Sequence, residues 1–413
     1  MNHKNRKLGL SVLFMASLCF LGNSMGVASG LPGSEPMRLP KDMKRYVTKY
    51  YTLYTDKPKQ DVVEAAVRLR VMAELYHRRT KSFGGVIHSK LDFYMFQNKK
   101  DYNAAGAPVG SAGVYKSVTQ GNKKTGMLLA VVSSKRDWST VQHEGFHQFV
   151  HMAIGGEIPI WVNEGLAEYF GDSLWTGDSL QTGIIQPRRQ KRIVKMIKEK
   201  KMVALETFLS ITRVKWNAAL NTGNYDYAWA FTHFLVHAED GKYRDLYAKF
   251  ISDISRGRKW HIAWKARFGI VPSVMEKKFH QWWLNLPENA GKEALREWTL
   301  KTMVSYLARA QFLRLKFTTA EEFFTAARGG KLKLDMKKHF KVWLPESLLT
   351  EALKASEAYT WKLEGRTPRQ KLILIDNDAS VTIAGEYRVT SAAVKVSSEI
   401  LKHEKKAPAT NGK

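Results

Sequence analysis

The sequence predicts an α+β protein: a small mixed β-sheet with one helix packed on it, then a mainly helical lobe, with a C-terminal α/β extension. Three observations predict it. Strand-like segments at Tyr46 to Thr55, Leu91 to Phe96 and Met127 to Val132 occupy the first third of the chain. From Trp138 onward apolar residues recur at helical spacing. The tail from 371 to 398 returns to strand-like alternation around Gly385. At 413 residues the chain has the length for two or three structural units, and 19 Phe, 16 Tyr and 12 Trp exclude a disordered one.

Residues 1–28 read as a cleavable signal peptide. Lys4, Arg6 and Lys7 precede an apolar core from Leu8 to Leu21, and small residues around Gly26-Val27-Ala28 suit cleavage after Ala28. A retained anchor would need about 20 apolar residues, so no transmembrane anchor is expected after cleavage. Leu18 before Cys19 argues against lipidation. Cleavage lowers the net charge from +28 by three, to +25, and removes the only cysteine. Thiol chemistry, Cys-type zinc sites and iron–sulfur clusters are thereby excluded, and the expected location is secreted or periplasmic.

The remaining elements follow in order. Residues 29–45, rich in Gly and Pro, read as a linker or arm. Tyr46 to Thr55 is aromatic and β-branched, hence a strand, and Val62 to Arg79 has helical spacing. Strands at Leu91–Phe96 and around Met127–Val132 flank a loop of Gly, Ala, Pro and Ser at 104–113. Helices are expected over 138–153, 163–171, 187–200, 226–239, 243–254, 273–284, 293–313, 319–327 and 346–358. Residues 46–285 then form one domain, 286–400 a helical then β-rich extension, and 401–413 a disordered tail. No repeat of 20–50 residues is present.

One stretch carries chemistry: Thr140-Val141-Gln142-His143-Glu144-Gly145-Phe146-His147-Gln148-Phe149-Val150. It contains H-E-x-x-H, which a chain of this composition should show by chance roughly 0.02 times. Residues four apart share a helix face, so both imidazoles can bind one Zn²⁺, with Glu144 beside the metal to take a proton from water. The plainer reading is two histidines on a surface helix. Against it, Val141, Phe146, Phe149 and Val150 make this a core helix, where an unliganded imidazole pair is hard to satisfy. Sixteen residues after His147, within Ile160 to Phe170, Glu164 offers the third ligand that such a site needs. Glu168, one turn on, is read either as acceptor for a ligating imidazole or as a salt-bridge partner.

HEGFHQFV followed by PIWVNEGLAEYF resembles the gluzincin metallopeptidases. It is most similar to the peptidase-MA-like domains of secreted bacterial proteins of the DUF1570 type. The likeness extends to Tyr51-Thr52-Leu53-Tyr54-Thr55-Asp56, to a Gly113-Val114-Tyr115 loop and to the block from Tyr225 to Leu235. It implies a zincin-like two-lobed domain over about 46–285, with one zinc per chain held by His143, His147 and Glu164. It implies Glu144 as general base and one tyrosine of the 225–235 helix facing the metal; register favours Tyr225, with Tyr227 as the alternative. The expected activity is hydrolysis of peptide bonds in a peptide or protein substrate.

Other signals are bland. Metzincins are excluded, because Val150 and Ala153 stand where they need Gly and His. His151, and the pair His233 and His237, read as structural. The glycines of 106–113 lack the spacing of a phosphate site, and no G-x-S-x-G elbow is present. No Gly-x-Met-Glu-Asn-type element is found, which leans toward an endopeptidase. The basic run from Arg188 to Lys201 reads as an amphipathic helix with a solvated face, not a specific nucleic-acid site. The charge itself attracts anionic envelope polymers or lipids non-specifically. Two rivals remain: a catalytically silent zinc-binding module, and a basic polyanion- or envelope-binding protein.

Overall fold

The computed structural model describes residues 13–16, 37–120, 123–134, 137–154, 157–218, 222–390 and 393–403. Most of the expected leader, the start of the linker, the Gly155-Gly156 turn and residues 404–413 of the expected tail lie outside them. The chain divides into two compact units. The first comprises residues 1–62, 72–173 and 185–289; the second comprises 63–71, 174–184 and 290–413. The second unit is therefore not a simple C-terminal addition, since the chain enters it twice before residue 290.

The chain opens with β1 (Leu13–Ala16), inside the segment read as a leader, and then β2 (Lys44–Val47) and β3 (Tyr51–Thr55). The single strand expected over Tyr46 to Thr55 is thus a hairpin. Its turn is closed by the Thr48 N–H donating to Tyr51 O at 2.8 Å and the Tyr51 N–H donating to Thr48 Oγ1 at 3.0 Å. Helix α1 (Lys59–Arg79), β4 (Leu91–Phe96), the short α2 (Lys99–Ala104), β5 (Gly113–Gln120) and β6 (Lys123–Val131) follow. Gly113-Val114-Tyr115, expected in a loop, opens β5.

These strands form a mixed sheet in the order β1-β5-β6-β4-β3-β2, parallel at β6-β4-β3 and antiparallel elsewhere. Leaving with the leader, β1 would expose β5 as an edge strand still paired with β6 from Gly113 to Gln120.

Helix α3 (Asp137–Ala153) packs on β5 and β6 and against α4 (Ile160–Gly171). The pair β7 (Leu174–Trp175) and β8 (Leu180–Gln181) comes next. Helices α5 (Pro187–Lys198), α6 (Leu205–Leu209), α7 (Arg213–Ala218), α8 (Thr222–Gly241), α9 (Arg244–Ser255), α10 (Trp260–Phe268) and α11 (Pro272–Asn285) complete the first unit. Proline in the first turn starts α5 and α11, where its missing N–H costs nothing. Helix α8 loses helical geometry at Ala238–Asp240.

Helix α4 lies unusually close to α8 at Gly165, where a Cβ would come within 2.6 Å of Ala228 O. Trp161 of α4 fills the space beyond, stacked on Tyr247 and Phe250 and tilted against Phe231. No helix among the described residues is long and apolar enough to cross a membrane.

The second unit contains α12 (Lys292–Ala310), α13 (Ala320–Arg328), α14 (Met336–His339) and α15 (Glu346–Ser356). The strands β9 (Thr360–Glu364), β10 (Lys371–Asp376), β11 (Val381–Val389) and β12 (Val394–His403) follow as an antiparallel meander. Thr319 and Glu322 form a reciprocal capping box at the start of α13. Helix α12 packs across the meander, and Gly385 lets it do so: a Cβ there would collide with Val304 and Leu300. The extension read as α/β holds no parallel strand pair among the described residues. It is α+β, helices first and an antiparallel sheet after, and β12 runs to His403, into the stretch read as a disordered tail.

Candidate metal centre

Helix α3 is buried nearly all round, at 13 of its 17 residues, so its polar side chains must find partners inside the protein. Two glutamines do so in ways that fix the helix. Gln142 Nε2 donates to the carbonyls of Phe170, Gly171 and Ser173 at 3.0–3.1 Å, closing the C-terminal end of α4. Gln148 Nε2 donates to Asp92 O at 3.0 Å, which ties α3 to the sheet. With these anchors set, His143 and His147 face α4.

Three ligand atoms converge there. His143 Nε2 and His147 Nε2 are 3.0 Å apart, and Glu164 Oε2 lies 3.5 Å from the first and 3.4 Å from the second. All three residues are buried. Tetrahedral ligands at about 2.0–2.1 Å from a metal stand about 3.3 Å apart, so this triangle has the size that one ion requires. His143, His147 and Glu164 could therefore hold a metal ion.

The far side of each imidazole is also engaged. His143 Nδ1 faces Glu168 Oε1 at 3.3 Å, and His147 Nδ1 faces Asn163 Oδ1 at 3.1 Å. Holding both Nδ1 atoms in this way turns both Nε2 atoms toward the shared centre. Asn163 lies within the quoted PIWVNEGLAEYF, but the sequence reading gives it no role; its position just before Glu164 was the signal.

Burial by itself would raise the Glu164 carboxyl, but the imidazoles of His147 and His143 more than reverse that and hold it well below the usual carboxylate range. Burial likewise disfavours charge on His143, yet the carboxylates of Glu164 and Glu168 leave it raised.

Glu168 takes both roles that the sequence left open, because it also accepts from Arg189 Nη1 at 2.7 Å. Burial would raise its carboxyl; Arg189 and His143 hold it down to about 2. Arg189 is where the sequence reading fails. It belongs to the basic run read as a solvated face, yet it is buried among Glu168, Asp172 at 3.3 Å and Asp226 at 2.8 Å. Its guanidinium also stacks over Trp229. Through Asp226, and through Tyr225 O at 3.4 Å, it joins α5 to α8 as it joins α5 to α4. Periodicity could not show this, since one arginine among eight cations of the run looks like the others.

Glu144 is fully buried beside the triangle. Its Oε2 accepts the Tyr115 N–H of β5 at 3.0 Å, while Oε1 has no hydrogen-bond partner among the described residues. Burial raises its carboxyl above the ordinary value, against the lowering pull of His143 and His147.

Tyr225 is half-buried against Trp216, edge-on at 5.3 Å. Burial raises its phenol, and the charges of Glu164, Glu168 and Glu144 raise it further, so the hydroxyl keeps its proton. Tyr227 is instead stacked between Phe208 at 4.0 Å and Phe279 at 5.6 Å, in the core. His151 lies by Tyr115, 5.9 Å between rings, and is not one of the three converging residues.

Fold and site together define an α+β protein with a buried two-histidine, one-carboxylate centre. Residues 137–258 match the family described as "Protein of unknown function (DUF1570)". The match supports that family over a narrower span than the expected 46–285. It runs from the first residue of α3 to just past α9 and includes His143, Glu144, His147, Asn163, Glu164, Glu168, Arg189 and Tyr225, but not Tyr115. No curated protein matches the chain.

Proposed function

We propose that the protein is a secreted zinc-dependent metallopeptidase of gluzincin type that hydrolyses amide bonds in peptide or protein substrates. The observation that carries this reading is the triangle of His143, His147 and Glu164 beside a buried glutamate, one oxygen of which has no hydrogen-bond partner among the described residues. Two imidazoles and a carboxylate form a donor set that suits zinc and leaves a fourth position open. When bound, zinc would polarise the substrate carbonyl and bring the pKa of a water toward 7.

The chain's own residues supply the rest. Glu144 is pinned through Oε2 to the sheet, so Oε1 is aimed and able to accept a proton from the attacking water. As the water oxygen bonds to the carbonyl carbon and the C–N bond breaks, Glu144 passes that proton to the leaving nitrogen. Tyr225, protonated at neutral pH, donates to the oxygen that gains charge. Glu168 and Asn163 keep the two imidazoles in register throughout. The leader-like residues 1–28 support export, and the positive charge supports loose attraction to anionic envelope material.

Metal analysis and one variant test the reading. The purified full chain, dialysed against metal-free buffer, should retain close to one zinc. Glu144→Gln should keep that zinc while losing about 10²–10⁴-fold in kcat on a cleaved peptide. A chain that takes up no zinc, or a variant with undiminished turnover, would overturn the proposal.

A further inference from the structure

Within the first unit, a cavity of about 490 Å³ opens between the C-terminal end of α1, helix α4 and the start of α9. Its inner wall is apolar: Leu166, Phe170, Tyr247 and Ile251 line it and are all buried. Its rim is cationic, with Arg78, Arg79, Lys81 and Arg244 exposed around the opening and Asp245 as the one acid among the lining residues. Four cations to one acid exceeds the ratio of the whole chain, 66 to 38. Helix α9 also begins here, with Asp245 in its first turn.

The cationic field is felt inward. Tyr169 lines the cavity, and its hydroxyl lies 3.0 Å from His237 Nε2. Burial, with Arg244 and Arg79 adding to it, holds that imidazole down to about 4. Burial and the neighbouring Arg79 also lower Arg78, against the raising pull of Glu74. A net positive rim over an apolar pocket favours a ligand that carries a negative charge.

We infer that this cavity binds an amphiphilic anion, an alkyl chain ending in a carboxylate or a phosphate. Its volume falls in the range of about 300–1,000 Å³ usual for small-molecule sites. An inorganic anion or a sugar phosphate would leave the apolar wall in contact with polar groups, and a neutral hydrophobe would make no use of the net positive charge of the rim. The lining residues include none of the candidate metal ligands, so the inference stands apart from the peptidase reading.

Calorimetric titration of the full chain with octanoate, octyl phosphate and 1-octanol tests it. At least one of the two anions should bind one saturable site per chain, and the tighter of them identifies the head group as carboxylate or phosphate. Octanol should bind about tenfold more weakly or worse. Arg78→Glu/Lys81→Glu, both at exposed positions, should weaken the anion by about tenfold and spare octanol. Ala248→Trp, which fills the cavity, should abolish both. No saturable site for either anion would overturn the inference. So would octanol binding as tightly as the anions, or a folded Arg78→Glu/Lys81→Glu chain binding like the parent.

Discussion

Helices α3 and α8 each present a pair of histidines four residues apart, His143 and His147 on the first (which also carries His151), His233 and His237 on the second. Both helices are buried in the same unit. Around the first pair stand carboxylates: Glu164 between the two Nε2 atoms and Glu168 behind His143. Around the second stand aromatic rings. His233 packs against Tyr169 and Trp229, at 4.9 and 4.5 Å, and neither of its ring nitrogens has a hydrogen-bond partner among the described residues. Burial lowers the pKa of both His233 and His237, whereas His143 is raised. The pair on α8 is neutral packing; the pair on α3 is a set of donors aimed at one point. Spacing alone is the same in both, so what stands opposite the pair decides what it does.

The comparison can be broken most directly by deleting one member of each pair. His147→Ala should weaken zinc binding by about a hundredfold or more and abolish hydrolysis. His237→Ala should retain full zinc content in the same elemental analysis. Equal zinc loss in both variants would erase the distinction.

The tyrosines offer the next largest contrast. Tyr225→Phe should lower kcat by about 10–1,000-fold at unchanged zinc content. Tyr227→Phe should leave kcat alone, because that ring is stacked in the core and the carboxylate acting on its hydroxyl is Glu276, not one of the three at the centre. Steady-state kinetics on one peptide decides between them.

Glu168→Gln sharpens the role of the residues behind the imidazoles. It should weaken zinc binding by about 10–100-fold, less than His147→Ala does, as measured by competition with a chelating dye.

The smallest effect concerns the charges around Arg189. Burial pushes the Asp172 carboxyl up to about 6, with Glu168 adding to the shift and Arg189 opposing it. The folded state therefore holds this proton more tightly than the unfolded chain, whose Asp titrates near 3.9. The stability that Asp172 contributes is present below about pH 4 and lost as pH rises through about 6, by about 1–3 kcal/mol. Urea melts of the metal-free chain and of Asp172→Asn at pH 4, 5 and 6 should differ by this slope, since the depressed carboxyls of Glu164 and Glu168 act the other way in both chains.

Much of the fold was legible because burial imposes periodicity. The helices expected over 138–153, 187–200, 273–284 and 346–358 are α3, α5, α11 and α15 within two residues at either end. What escaped was short or nonlocal. Helices α6, α7 and α14 span too few residues for a period to emerge. The Tyr46 to Thr55 strand is a hairpin because Thr48 closes a turn that its neighbours do not announce. Strand β5 begins in a Gly-rich stretch and owes its extended form to pairing with β6.

The sequence by itself determined that one buried helix would carry His143, Glu144 and His147 within about one turn, and that Glu164 would follow on a second apolar helix. A 3.6-residue repeat sets those faces without reference to the rest of the chain. Only the tertiary structure decided that Tyr115 N–H would aim Glu144, that Asn163 and Glu168 would hold the two imidazoles, and that Arg189 would sit inside rather than in solvent. Each of these depends on a partner from another element. Such pairings follow from how helices and strands pack, which local residue order does not encode.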